Sequence, residues 1–284
     1  MIYISSTAFT KHSFEEIIHI AESNGINIEF SSNLPFHPKA YQLVIEAKIN
    51  RLTHNYFPAP ETPYVLNLAS LNDEIREQSV NHCLKALEIA KKISAPFFAA
   101  HAGYCLDPDP NELGRSLKKE MGGTRENYWE AFIESVIKVE RKAKELDVLF
   151  LIENNVLTSE NYYSYNKINP LLCCDPDEIA KLYSEVPSSY VGMLLDTAHL
   201  KVSSRTLNFD LGSSVDSIKP FIKAIHHSDN DGNVDSNGKL DENYWFGKFM
   251  SEFDELDHVV EVKNLSLGEI RNQKEILYKF LETE

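Results

Sequence analysis

Six side chains of metal-ligating type, His54, His101, Glu153, Asp196, His226 and Glu261, each stand at or just beyond the C-terminal end of a short apolar run. The runs are RLTHNYF (51–57), APFFAAH (95–101), VLFLIENN (148–155), YVGMLLD (190–196), FIKAIHH (221–227) and HVVEV (258–262). An acid that closes a run such as LFLI cannot be buried there without a partner, because stripping water from a carboxylate is costly. Asp196 after VGMLL poses the same problem. If the runs converge, their three carboxylates repel and raise one another's pKa unless a cation neutralises them, and imidazoles supply the remaining borderline ligands. This set therefore points to a divalent metal ion (Mn, Mg, Co or Zn). A lone histidine at a strand end is more often a hydrogen-bonded structural residue than a ligand. The weight lies in the recurrence on successive runs.

The elements that must position these residues alternate regularly. Strand-like segments at 2–6, 26–30, 51–57, 95–101, 148–155, 190–196, 221–227 and 258–262 are separated by amphipathic helical stretches. The clearest helices span 13–24, 37–48, 72–92, 124–146, 242–253 and 267–281, with others after Asp175 and before Pro220. In the 72–92 stretch Ile75, Val80, Cys83, Leu84, Leu87 and Ala90 recur at helical spacing. Eight strands alternating with helices imply a parallel sheet, and the count matches an α/β fold consisting of a single (β/α)8 TIM barrel, one domain over 1–284. No Gly-rich phosphate fingerprint follows the first strand, which argues against a nucleotide-binding open sheet. A parallel barrel gathers the C-terminal strand ends at one mouth, where distant residues meet.

The 284 residues carry 28 Lys and Arg against 43 Asp and Glu, a net charge of −15. Phosphate backbones are gripped through Lys and Arg, so this balance argues against nucleic acid as a partner. The longest nearly apolar run, 95–102, is far short of the roughly 18 residues a membrane helix needs. MIYISSTAF has neither a basic leader nor an apolar signal core, so a cytoplasmic location is expected. Cys83, Cys105, Cys173 and Cys174 form no C-x-x-C pair and are expected to be reduced bystanders. The acidic segment 229–242 superficially resembles a calcium loop starting at Asp231. However, Ser236 stands where glycine is required and a strand leads in, so a long loop over the mouth is expected instead, with Asp229 or Asp235 reaching metal or substrate. Tyr162 and Tyr163 read either as lid aromatics or as ordinary loop packing. His199, one turn after Asp196 in DTAH, reads as a substrate contact or as a helix N-terminal residue capped by Asp196.

HNYFP, HAGY, IENN, LDTAH, IHHSDNDG and VVEV follow the order found in the xylose isomerase-like TIM-barrel superfamily, and on these motifs nearly the whole chain resembles it. That superfamily includes sugar and sugar-phosphate isomerases and epimerases and the endonuclease IV type of abasic-site nuclease (AP endonuclease family 2). The resemblance implies that Glu153, Asp196, His226 and Glu261 form a shared four-ligand metal site. It implies further that His54 and His101, with Glu153 as bridge, hold a second metal in the nuclease branch. His199 corresponds to a substrate contact in epimerases and a third-metal ligand in nucleases. Asp235 matches another third-metal ligand, but Asn237 stands where the accompanying histidine is expected. The leading expectation is a metal-dependent isomerase or epimerase of a small sugar or sugar phosphate. In it Glu153 and Glu261 transfer the proton through an enediolate while His101, His199 and Asp229 contact substrate. The alternative is a metal-dependent phosphoester hydrolase of the abasic-endonuclease type, and a third reading is a barrel that binds without catalysis. The sequence leaves a homo-oligomer open.

Overall fold

A computed structural model describes residues 1–112 and 116–282. Among the described residues eight strands form one sheet: β1 (Ile2–Ser5), β2 (Ile28–Phe30), β3 (Arg51–Thr53), β4 (Phe97–His101), β5 (Leu149–Glu153), β6 (Val191–Asp196), β7 (Ile222–His227) and β8 (Asp257–Val260). All neighbours pair in parallel in the order β3-β2-β1-β8-β7-β6-β5-β4. A parallel bridge between His54 and Ala99, with the Asn55 N–H donating to Ala99 O at 2.7 Å, brings β3 against β4 and nearly closes the ring. The fold is the (β/α)8 barrel that the alternation implies. β4, β5 and β6 read as continuous apolar runs up to their polar last residues because both faces are covered, by barrel interior on one side and helices on the other.

The helices are α1 (Phe14–Asn24), α2 (Ala40–Glu46), α3 (Asp73–Lys92), α4 (Arg125–Leu146), α5 (Ser159–Ser164), α6 (Pro176–Glu185), α7 (Thr197–Leu207), α8 (Leu211–Ile218) and α9 (Leu267–Leu281). Except for α2, which starts at Lys39 without one, these helices begin at side-chain caps that satisfy free N–H groups of the first turn. Ser13 with Glu16, Thr124 with Asn127 and Ser266 with Glu269 form reciprocal capping boxes on α1, α4 and α9. α3 buries Val80, Cys83, Ala86, Leu87, Ile89 and Ala90, whereas Ile75 and Leu84 of the expected stripe are only half-buried. Among the described residues no helix is long and apolar enough to cross a membrane, and all four cysteines are buried and unbridged.

Two expected helices differ. The stretch before Pro220 is a pair, α7 and α8, because Asn208 adopts a left-handed conformation (φ 61°) that ends α7. The segment expected to be helical over 242–253 is turn followed by a 3-10 helix, Gly247–Phe253. Phe246 packs on Phe249 and Phe253 there, and a Cβ on Gly247 would lie 2.5 Å from the Phe280 ring of α9, so the close approach demands glycine. Of the two loop tyrosines, Tyr163 is exposed on α5, while Tyr162 packs against a small cluster with Leu106, Leu157 and Leu171.

Candidate metal centre

The register of the sheet explains why the strand-end residues meet. His101 pairs with Glu153 across β4 and β5, and Asp196 pairs with His226 across β6 and β7. Glu261 follows the end of β8 and is tied to the barrel by its N–H donating to His227 O at 2.9 Å. Glu153, Asp196 and His226 are fully buried, and Glu261 is 8% exposed. One ligand atom from each of these four residues lies within 4.8 Å of the others. His54, His101 and Glu153 form a second such set, so Glu153 belongs to both.

Within the first set His226 Nδ1 is 3.0 Å from Glu261 Oε2, 3.5 Å from Glu153 Oε1 and 4.0 Å from Asp196 Oδ2. Within the second, Glu153 Oε2 is 2.7 Å from His54 Nε2 and 3.2 Å from His101 Nδ1. Ser31 Oγ, 3.1 Å from His54 Nδ1, fixes that ring from behind. His199 borders both sets, its Nδ1 being 3.7 Å from Oε1 of the shared Glu153 and its Nε2 3.8 Å from Asp196 Oδ2 and 3.4 Å from Asp235 Oδ2. Its Nδ1 faces Asn154 O at 2.9 Å. Asp196 does cap α7, since its Oδ1 accepts the His199 N–H at 2.7 Å, which leaves Oδ2 directed at the cluster.

The electrostatics fit a cation. Burial alone would raise the Glu153 carboxyl, but the surrounding imidazoles of His101, His54 and His226 hold it well below the usual carboxylate range. Asp196 is pushed up to about 7 by burial, opposed by His199 and reinforced by Glu153, Asp235 and Glu261. Burial lowers His226, yet the carboxylates of Glu29 and Glu261 more than reverse this and hold it well above its ordinary value. Buried Glu153 Oε1, Asp196 Oδ2 and His101 Nδ1 have no hydrogen-bond partner among the described residues. Unpartnered ligand atoms of oxygen and nitrogen type, aimed at one another in a buried site, are what a divalent ion would satisfy.

The segment 229–242 does arch beyond β7, but its acids diverge. Asp229 is in none of the ligand sets: its Oδ1 holds the Lys201 ammonium at 2.6 Å, and Asp229 and Gly238 exchange backbone hydrogen bonds. Asp231 accepts from Asn233, and Asp235 faces His199. Asn237, where a histidine would complete a third set, is buried and its carbonyl accepts from the Lys263 N–H. Sequence reasoning missed Glu29 on β2, which is fully buried with Oε2 3.0 Å from His226 Nε2. The signal was an acid inside the run INIEF. It also missed Asn154, whose Oδ1 accepts the Asp196 N–H at 2.8 Å while its Nδ2 donates to Asp196 O at 3.0 Å.

A family model described as xylose isomerase-like TIM barrel matches residues 10–274. Among solved structures, the chain is similar to a D-tagatose 3-epimerase-like protein, with a TM-score of 0.73, 18% identity and coverage of 99% of this chain and 97% of that one. It is also similar to an AP endonuclease, family 2, from Brucella melitensis (TM-score 0.62, 16% identity, 95% of each chain). An uncharacterized protein of Methanocaldococcus jannaschii is 21% identical over 220 residues, 76% of this chain and 67% of that protein. At these identities the structural likenesses establish the fold.

Proposed function

From a chain that belongs to the xylose isomerase-like TIM barrel family, we propose a divalent-metal-dependent isomerase or epimerase acting on a small sugar or sugar phosphate. The observation that carries this is the convergence of Glu153, Asp196, His226 and Glu261 at the C-terminal mouth of the barrel, with unpartnered oxygens turned inward. These four residues would hold the ion, which when bound would polarise a sugar carbonyl and its neighbouring hydroxyl and stabilise the negative charge that develops on them.

The chain's own groups supply the proton transfer. A carboxylate, Glu153 or Glu261, removes the proton from the carbon beside the carbonyl, and the electron pair moves into the carbonyl to give an enediolate. Returning the proton to the adjacent carbon isomerises the sugar; delivering one to the opposite face of the same carbon, from the other carboxyl group, epimerises it. His101, with 22% of its side chain exposed, and His199 face the same space and orient hydroxyls. Asp229, with Lys201, stands just past the end of β7 as a further substrate contact. The likeness of the fold to that of a D-tagatose 3-epimerase-like protein supports this reading.

Solvent-deuterium incorporation into a panel of ketoses and aldoses tests it. Wild type exchanges the proton next to the carbonyl, whereas Glu153→Gln and Glu261→Gln, each folded, lose exchange by at least about a hundredfold. Normal exchange in either variant contradicts its assigned role.

The second ligand set, His54, His101 and Glu153, favours one other reading. Two ions sharing Glu153 would suit in-line hydrolysis of a phosphoester, as in the abasic-site endonuclease branch. One metal equivalent per chain with sugar exchange supports the isomerase. Two or three equivalents with nicking of abasic duplex DNA and no exchange support the hydrolase.

A further inference from the structure

We propose that Glu29 is the positioning residue of the metal site, accepting the Nε2–H of His226 so that Nδ1 of the same ring is the nitrogen presented to the ion. The inference rests on the cluster being a metal site and assigns a role to a side chain outside both of the ligand sets argued above.

Its basis is geometric. Glu29 sits on β2 and His226 on β7, 197 positions apart, and Glu29 Oε2 to His226 Nε2 is 3.0 Å. The opposite edge of the ring faces Glu261, Glu153 and Asp196. An imidazole with a buried carboxylate at one nitrogen and three ligand oxygens at the other has its tautomer and its rotation assigned by that carboxylate. Glu29 is fully buried and its Oε1 lacks a hydrogen-bond partner among the described residues, so the fold bears the desolvation of an acid for a single strong contact. Glu29, His54 and His226 are also close enough to be ligands themselves. In the second ligand set, however, His54 turns Nε2 to Glu153 Oε2 at 2.7 Å and Nδ1 to Ser31 Oγ at 3.1 Å, whereas the Glu29 carboxylate makes its hydrogen bond to His226. His226 is therefore the ring left for Glu29 to orient.

Isothermal titration with Mn2+, on wild type, Glu29→Gln and Glu29→Leu, each checked for folding by circular dichroism, tests the role without an activity readout. Glu29→Leu removes the acceptor and is expected to weaken binding by about 10–100-fold. Glu29→Gln keeps a carbonyl acceptor but loses its charge, and is expected to recover part of that loss, leaving binding about three- to tenfold weaker than wild type. A purely structural role would lower the melting temperature of both variants and leave both dissociation constants within about twofold of wild type, which overturns the proposal. If Glu29→Leu does not fold, Glu29→Gln decides by the same criterion. Loss of a whole metal equivalent in Glu29→Leu, with the remaining affinity unchanged, makes Glu29 a ligand and also overturns it. Wild type that binds neither Mn2+ nor, titrated in the same way, Co2+ or Zn2+ sinks the metal reading itself, an outcome distinct from unchanged binding by the variants.

Discussion

Stripping the protein with a chelator and restoring a divalent ion should move its melting temperature, and the size of the shift can be worked out in advance. A ligand that binds only the folded state stabilises it by about 2.7 kcal/mol at a hundred times its dissociation constant. For chains of this size each kcal/mol moves the midpoint by roughly 2–4 °C, so saturating Mn2+ should raise it by about 5–10 °C. The structure dictates how substitutions divide that increment. Glu153 contributes to both ligand sets, so Glu153→Gln should reduce the metal-dependent shift to about 1 °C or less. His54 belongs to the second set and lies outside the four-ligand set, so His54→Ala should retain most of the shift while losing any second equivalent. Differential scanning fluorimetry gives the increment and isothermal titration gives the stoichiometry. The metal-free midpoints of the variants need not agree, because Glu153 also neutralises the neighbouring imidazoles, so the increment is the quantity compared. A wild-type midpoint unmoved by millimolar Mn2+, Co2+ and Zn2+ alike would refute the reading of the cluster as a metal centre.

Two further outcomes follow from the buried polar contacts around the barrel. His258 Nε2 faces Phe253 O at 3.1 Å, its Nδ1 is 2.9 Å from His227 Nε2, and His227 Nδ1 is 3.0 Å from Tyr244 Oη, a chain in which one proton lies between the two rings, so they cannot both be charged. Burial pushes His258 down to about 4, with the N-terminal ammonium adding, against about 6.5 in an unfolded chain, so the unfolded state binds more protons between those values. This contribution to stability is therefore complete above pH 6.5 and falls as the pH drops toward 4. Wild type should lose about 2 kcal/mol more than His258→Gln between pH 7 and pH 5 in urea titrations, a difference that cancels the carboxylate cluster common to both; equal losses would contradict it. Asn154→Ala should cost about 2–4 kcal/mol, because it leaves the buried Asp196 N–H and C=O without the partners that Asn154 supplies, and should weaken Mn2+ binding through Asp196. An unchanged urea midpoint would rule out that clamp.

How far the site was legible follows from where each residue sits on its strand. A parallel barrel puts every C-terminal strand end at one mouth, so a polar residue that closes an apolar run is marked by the sequence itself; His101, Glu153 and Asp196 are the last residues of β4, β5 and β6. Loop residues have no such marker. Asp229 and Asp235 look equivalent in an acidic, aperiodic segment, and what separates them is tertiary: Lys201 on α7 holds one, and His199, two residues earlier on the same helix, faces the other. The failed helix at 242–253 has the same origin, since its composition is compatible with a helix and the packing of Phe280 against Gly247 is not written in local spacing.

Glu29 was hidden for a different reason. It pairs in register with Leu52, two residues before His54, and side chains two apart on a strand share a face, so Glu29 lies one layer deeper in the barrel than the mouth residues. A search for polar groups at strand ends cannot reach that layer. What can reach it is the opposite question: which charged side chain interrupts an apolar strand where it has no water, and what must lie across the barrel to compensate it. For Glu29 the compensating group is an imidazole held well above its ordinary pKa by two carboxylates, Glu29 on one edge and Glu261 on the other. A buried acid in mid-strand thus implies a second layer of polar residues beneath the mouth. The geometry of the four-ligand set then depends on a residue outside that set.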